Sequence, residues 1–431
     1  MQDRDNQARP AVEGLSPESA TRSTAAARPA GTARSTGTAR STGTARPAGT
    51  ARPAGTARPA GTKAAKARAQ GGAAAKKKTK KKAQSGLTPK RIAGRVGLSV
   101  GTVIALVLVA AIGAGFVAFK GPSKSLGDLL TVTMLETSAL KFVPRIYYSQ
   151  AEVDAIIARN SVQDDGSETD TSLIVVAGPT PEPGQEPAQS AEPNPENLAF
   201  SEDGIDVYGV HGATYNGWMM IVHDPSRVSV GVCREEFSSK PGLRLKEIAA
   251  RYDAVAAVNG GGFSDDGGVG NGGRPLGLVI SQGKLLNKAR PKSDHAVVAG
   301  FNQDNVLIVG KMTTDQAQEK GLRDALAFGP ALVVNGEAAQ VSGSSSGLNP
   351  RTAIGQRADG AVLLLVIDGR QASSLGATYS DLISVLLEYG AINAVNMDGG
   401  SSSLMCYKGE YLNKGVILTG DRDIPDGFIV R

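Results

Sequence analysis

The stretch AINAVNMDGGSSS, Ala391 to Ser403, decides how the distal half of the chain is read. Its apolar run, Ile392 to Val395, stops abruptly in an amide, a carboxylate, two glycines and three hydroxyls. That is the pattern of a buried strand delivering polar groups to an open sheet edge. Upstream, Thr378 to Tyr389 reads as a helix, with a box-like start at Thr378 and Asp381, an apolar stripe through Leu382, Val385, Leu386 and Tyr389, and Gly390 as its stop. Further upstream, Ala361 to Ile367 (AVLLLVI) is apolar throughout, a strand buried on both faces that ends in Asp368. Strand, helix, strand of this length predicts two neighbouring parallel strands, with Asp368 and the Asn396/Asp398 group at one sheet edge. The expected class is α+β, a mixed α/β domain built on a mixed β-sheet.

Working outward, short strands are expected at Met219–Val222 paired with Val228–Val232, and at Ala254–Val258, Leu278–Ser281, Lys284–Asn287, Ala296–Ala299 and Val306–Val309. Helices are expected over Leu243–Tyr252 and Thr314–Ala327. Phe328–Glu337 reads as a strand running into the hairpin turn Asn335-Gly336. The strand Ala254–Val258 opens into Asn259-Gly260-Gly261-Gly262-Phe263, the start of a run with nine glycines among the twenty residues from Val258 to Gly277. Glycine lets backbone amides approach a ligand closely, so Asn259, Gly260 and Gly261 are candidates for an anion or sugar cradle. The run is neither a P-loop nor a dinucleotide fingerprint, because no GK[ST] and no closely following helix accompany it. Asp265 and Asp266 form a single acidic pair, too little for a calcium loop. No metal site and no cofactor is assigned.

Residues 1–95 hold 21 Lys and Arg against 4 Asp and Glu, whereas the rest of the chain holds 26 against 37. A basic head on an acidic body argues against nucleic-acid binding by the folded part. Within the head, Ala27 to Thr62 is six tandem hexamers of the form ARPAGT or ARSTGT, with almost no apolar bulk, so the head is expected to be a disordered basic tail. Val96 to Phe119 is 24 residues without a charge, about 36 Å of helix at ~1.5 Å per residue, against a hydrocarbon core of roughly 30 Å. A single-pass transmembrane helix over 96–119 is expected. The basic excess before it predicts a cytoplasmic N-terminus and an extracytoplasmic distal chain. Residues 120–204 are expected to hold helices that form a stalk or a docking helix, broken by Pro144, and a Pro- and Glu-rich spacer. The domain of interest is placed at 205–431. Cys233 and Cys406, the only cysteines, leave one bridge or two free thiols equally open.

Arg351 lies between Pro350 and an apolar strand beginning at Thr352, where a fixed guanidinium suits bidentate binding of phosphate or carboxylate. Two carboxylates at one edge, Asp368 and Asp398, with an arginine and hydroxyls nearby, fit hydrolysis of a glycosidic bond. If the aglycone is a phosphate it leaves easily, and a cation to hold its oxygens becomes more valuable than strong acid assistance. The three scattered histidines, His211, His223 and His295, do little to support an acyl-hydrolase triad.

NGGGF (Asn259 to Phe263), a strand with a glycine loop and GKL, NPRTAIG (Asn349 to Gly355), VIDGR (Val366 to Arg370) and NMDGGSSS (Asn396 to Ser403) resemble, in order and spacing, the phosphodiester glycosidase family. The likeness covers about residues 205 to 431. It implies a mixed α/β domain that hydrolyses a sugar 1-phosphodiester, and by motif it marks Asn259, Arg351, Asp368, Asp398 and the hydroxyls after Asp398. Arg351 would then bind phosphate, Asp398 and Asp368 would divide the nucleophile or base and acid roles, and Asn259, Asn396 and Ser401, Ser402 and Ser403, with Gly399 and Gly400 beside them, would orient the sugar. Two departures stand out: Ser401 replaces a third glycine often seen there, and Phe263 alone remains of an aromatic pair. The expected protein is a membrane-anchored hydrolase of a sugar phosphodiester in envelope glycan or teichoic-acid-like substrates. The competing expectation is a non-catalytic envelope module that binds such polysaccharides for assembly.

Overall fold

A computed structural model describes residues 88–137, 139–163, 166–176, 193–264, 270–288, 296–416 and 420–431. The hexamer repeats, the lysine-rich run Lys76–Lys82 (KKKTKKK), the Pro/Glu-rich spacer proper, Asp265, Asp266 and His295 lie outside the described residues. Among those described, seven α-helices occur: α1 (Pro89–Lys120), α2 (Lys124–Leu135), α3 (Pro144–Tyr147), α4 (Gln150–Arg159), α5 (Leu245–Arg251), α6 (Thr314–Glu319) and α7 (Tyr379–Glu388).

The body is a mixture of helices and strands in which strands predominate. An eight-stranded sheet runs, edge to edge, Glu337–Ala338, Ala331–Val334, Ala391–Met397, Arg351–Arg357, Val362–Ile367, Asn216–Val222, Ile205–His211, Leu198–Glu202. Two five-stranded sheets accompany it, one centred on Ala256–Asn259 and Asp426–Val430, the other on Val297–Phe301 and Asp324–Phe328. Every strand pairing among the described residues is antiparallel, so the expected parallel neighbours are corrected. Val362–Ile367 and Ala391–Met397 do run in the same direction. Arg351–Arg357 lies between them and pairs antiparallel with both.

The all-apolar strand is explained by what covers its two faces. Val362, Leu364 and Val366 enter a core shared by all three sheets, with Val230, Val258, Ala299 and Phe428. Leu363, Leu365 and Ile367 face the other way, onto Leu382 and Leu386 of α7. Alternation with period two therefore persists, hidden because both faces are dry. Thr378 caps α7 by accepting from Asp381 N while Asp381 reaches back to Thr378 N, as the sequence predicts.

Other expectations shift. Met219–Val222 and Val228–Val232 fall in different sheets, because Asp224 caps a 3-10 turn at Pro225–Arg227 that redirects the chain instead of closing a hairpin. The helix expected to Ala327 ends at Glu319, since Gly321 takes a left-handed conformation (φ +67°) and the apolar run beyond it becomes the strand Asp324–Phe328. The hairpin at Asn335-Gly336 forms. The sheet begins at Leu198, seven residues before the expected boundary. Cys233 and Cys406 are free and buried.

Of the two readings of the segment after α1, stalk or docking helix, the contacts favour docking. Thr133 Oγ1 accepts from Leu348 N at 3.0 Å and Asn160 Oδ1 accepts from Ser344 N at 2.5 Å, so α2 and α4 dock on the loop before Arg351. Arg159 clamps Asp128 with two bonds of 2.6 Å and ties α4 to α2. Helix α1 is long and apolar enough to cross a membrane, with only 6% of its most hydropathic window buried.

Candidate active site

Three adjacent strand ends build the site. Arg351 opens the central strand, Ile367 is its partner on one side and leads to Asp368, and Met397 pairs with Thr352 on the other and leads to Asp398. Beyond them lies a cleft of about 330 Å³ whose lining includes Arg351, Arg370, Arg422, Asp398, Glu136 and Asn396. Gly399, Gly400, Ser401 and Ser402 form one wall and Phe263, Phe328 and Tyr379 supply apolar surface. Size and mixture suit a small polar ligand with a few convergent charges.

Arg351 is only 3% exposed and is held from four sides. Its Nε donates to the Ala377 carbonyl (3.2 Å), its Nη2 donates to the carbonyls of Ser346 and Gly347 (3.1 Å each), and its plane lies 4.3 Å over the Tyr379 ring. The remaining nitrogen, Nη1, stands 3.0 Å from Glu136 Oε2. Glu136 caps the end of α2, also accepts from Asn349 Nδ2 at 2.8 Å, and keeps a third of its side chain exposed to the cleft. Burial pushes its pKa up, against the pull of Arg351 and Arg370.

Arg370 takes a left-handed backbone (φ 57°), uncommon for a residue with a Cβ. Its Nη2 donates to Asn349 Oδ1 at 3.0 Å, while its buried Nε has no partner. Gly400, itself at φ +63°, leaves the space this guanidinium needs, since a Cβ there would stand 3.2 Å from Arg370 Nη1. Arg422 lies 4.8 Å over Phe263 and donates to Ser401 Oγ at 3.3 Å. Three guanidinium groups against two carboxylates leave the cleft net positive, fit for an anionic ligand.

The candidate residues divide into two groups. Arg351, Asn396, Asp398, Gly399, Gly400, Ser401 and Ser402 meet at the cleft. Asn396 donates to the Gly329 carbonyl at 2.9 Å but leaves its buried Oδ1 without a partner, as are the buried hydroxyls of Ser402 and Ser403. Asn259, Gly260, Gly261, Ser403 and Asp368 stand behind the wall. Asn259 accepts from Thr352 Oγ1 (2.7 Å) and Leu404 N (3.1 Å) and donates to the Asp398 carbonyl (2.7 Å), so it ties three strands together. Asp398 N in turn donates to the Gly260 carbonyl at 3.0 Å. Asp368 keeps to the expected edge, but its Oδ1 accepts from Asn413 Nδ2 at 3.0 Å, and Asn413 also donates to the Ser403 carbonyl at 2.9 Å. Burial pushes the Asp368 pKa up, with the Asn413 bond opposing.

Sequence reasoning missed Glu136, Arg370, Arg422 and a buried carboxyl, Asp426. Arg370 ended a motif already singled out, so a signal existed. Asp426 is fully buried behind the glycine loop, where its Oδ1 accepts from Gly261 N at 2.7 Å and its Oδ2 has no partner. Burial, with the nearby Asp398 charge adding to it, pushes its pKa up to about 7. Among the described residues no cluster of three or more His, Cys, Asp or Glu is disposed to hold a metal.

The phosphodiester glycosidase family model matches residues 252–431. An SPbeta prophage-derived uncharacterized protein, YomE, of Bacillus subtilis is 34% identical over 175 residues, 38% of this chain and 26% of that protein. The bovine N-acetylglucosamine-1-phosphodiester α-N-acetylglucosaminidase is 26% identical over 190 residues, 40% of this chain and 34% of the bovine one. The chain thus spans about a quarter to a third of the curated relatives it matches. A solved structure of the zebrafish N-acetylglucosamine-1-phosphodiester α-N-acetylglucosaminidase catalytic domain, auto-inhibited by pro-peptide, aligns over 57% of this chain and 86% of that one, at 23% identity and a TM-score of 0.44. In its distal region, with the family model over 252–431 and the four motifs in order, this chain resembles the phosphodiester glycosidase family.

Proposed function

We propose that the protein is a membrane-anchored hydrolase that cleaves the bond between a sugar C1 and a phosphodiester oxygen, with N-acetylglucosamine 1-phosphodiesters as the first substrates to try. The observation that carries this reading is the convergence of Asp398 with Arg351 and Arg370 on one net-positive cleft. Helix α1 is the anchor in this reading, with residues 1–95 cytoplasmic and the body outside, supported by the basic excess before the span.

Arg351 and Arg370 neutralise the phosphate, and Asp398 serves the sugar carbon as nucleophile or as base to a water. As the C1–O bond breaks, its electron pair goes to the phosphate oxygen. Water supplies hydroxyl to the sugar and a proton to the phosphomonoester. Glu136, beside the phosphate-binding guanidinium and with its pKa raised by burial, is placed to relay that proton. Asn396 and Ser402, which line the cleft and carry unpartnered side-chain oxygens, receive the sugar's polar groups in this scheme. Asp368 acts in this scheme as a positioning residue, through Asn413, for the wall 399–404.

Full chain in detergent is expected to release sugar from methyl N-acetylglucosamine 1-phosphate, and Asp398→Asn to reduce turnover by at least about a thousandfold, as loss of a reacting carboxylate does. Undiminished turnover in that variant sinks the assignment. Binding of the diester without turnover in either protein would favour the polysaccharide-binding module instead.

A further inference from the structure

From Ala139 to Tyr147 the chain carries apolar side chains that the described residues leave substantially exposed. Leu140 is 42% exposed, Phe142 58% and Ile146 56%, whereas the core of the body is dry. Lys141 and Arg145 alternate with them. This is the composition of an interfacial segment, with apolar groups to bury and basic groups beside them to meet phosphates.

Its position names what it meets. Tyr147 does not point at the body but lies along α1, its ring stacked on Phe119 at 4.7 Å and its hydroxyl 3.5 Å from the Ile112 carbonyl. Gly115 makes room for it, because a Cβ there would stand 2.0 Å from the Tyr147 hydroxyl. The uncharged run of α1 ends at Phe119, so Ile112 lies about 10 Å inside it at ~1.5 Å per residue. Whatever surrounds the last turns of α1 therefore also surrounds α3. Lys120, Lys124 and Arg159 stand at the level where the apolar run stops, Lys120 paired with Glu152 and Arg159 with Asp128, so the charged groups of the body begin where the uncharged helix ends.

The same segment begins at the cleft. Glu136, bound to Arg351, is four residues from Leu140, a reach of at most about 14 Å even fully extended. The intervening backbone is instead wound into tight turns, Leu140 N and Lys141 N both donating to the Thr137 carbonyl at 2.9 Å. Glu136, which lines the cleft, is thus held close to the apolar segment.

We propose that residues 139–147 sit in the bilayer leaflet beside the end of α1, and that the cleft consequently acts on sugar 1-phosphodiesters whose aglycone is a lipid lying in that leaflet. This rests on the reading of α1 as a span and of the cleft as a phosphodiester glycosidase site. Cleavage would leave free sugar in water and a lipid phosphomonoester in the membrane, the added water accounting for both new O–H groups.

Two measurements test it on the full chain in phosphatidylglycerol–phosphatidylethanolamine vesicles. First, Phe142→Trp adds one tryptophan to the single native Trp218. Acyl-chain-brominated lipid should quench the added emission while sparing most of the native signal; no added quenching overturns the seating. Second, the triple variant Leu140→Ser, Phe142→Ser, Ile146→Ser should cleave the dodecyl diester of N-acetylglucosamine 1-phosphate at least about tenfold more slowly, the scale expected from exposing buried apolar side chains. Its rate on the water-soluble methyl diester should match the parent. Equal effects on both diesters, or none on either, overturn the lipid-substrate inference. Failure of the parent chain to cleave either diester overturns the functional reading instead, and the quenching result still decides the seating.

Discussion

Asp426 illustrates how a side chain behind the cleft can position one that lines it. Its carboxyl grips Gly261 N while its backbone carbonyl accepts from Gly260 N at 3.2 Å, and Gly260 offers its own carbonyl to Asp398 N. The glycine is needed because a Cβ at position 260 would stand 2.5 Å from Asp426 Oδ1. With its pKa raised from an ordinary 3.8 to about 7, the native state holds a proton that the unfolded chain has released. Stability from this group is therefore fully present below about pH 4 and falls as pH rises towards about 7, a loss on the order of 4 kcal/mol by linkage. Asp426→Asn, which cannot ionise, should flatten that part of the thermal-stability profile; an unchanged slope between those pH values would show that Asp426 is ionised in the native protein. Asn396, Asp398 and Arg351 were legible in the sequence because strand ends beside glycines or proline are local signals. Asp426 and Glu136 were not, because each meets its partners from more than 160 residues away and neither stands in a distinctive local pattern.

At the scale of elements, the sequence foretold those whose signals are local. The box at Thr378 and Asp381 started α7, Asn335-Gly336 closed a hairpin, and the run Val362–Ile367 formed a strand dry on both faces. Which strand lies between two others is a property of the whole sheet, so the insertion of Arg351–Arg357 between its neighbours was invisible. That insertion sets Arg351 between the edges carrying Asp368 and Asp398. Asp368 then reaches the cleft wall through Asn413, which also accepts from Met405 N at 2.9 Å. Asn413→Ala strands the Ser403 carbonyl, the Met405 amide and one Asp368 oxygen at once. It should cost about 2–3 kcal/mol and speed amide hydrogen exchange across 399–405. Exchange unchanged in that wall would remove the positioning role given to Asp368.

For the whole molecule, the decisive feature is that the helices after α1, expected as a stalk or a docking helix, dock on the body. Glu136 completes the surroundings of a buried guanidinium, Asn160 and Thr133 secure the loop 343–349, and the Asp128 to Arg159 clamp holds α2 and α4 as one unit. Composition could not decide between the two readings, since a short amphipathic helix reads alike whether it spaces two domains or packs against one. A chain beginning at Ser123 should therefore melt higher than one beginning at Asn194, although both keep all three large sheets. Removal of Glu136 alone leaves Arg351 beside an open cleft where water can reach it, so Glu136→Gln should cost less than the roughly 3–5 kcal/mol of a fully buried broken pair. The shorter chain loses the docking bonds as well and should fall further, by several degrees at about 2–4 °C per kcal/mol for a body of this size. Equal melting temperatures for the two chains would mean that α2 and α4 rest on the body without stabilising it, and that the position of Glu136 at the cleft is not enforced by the fold.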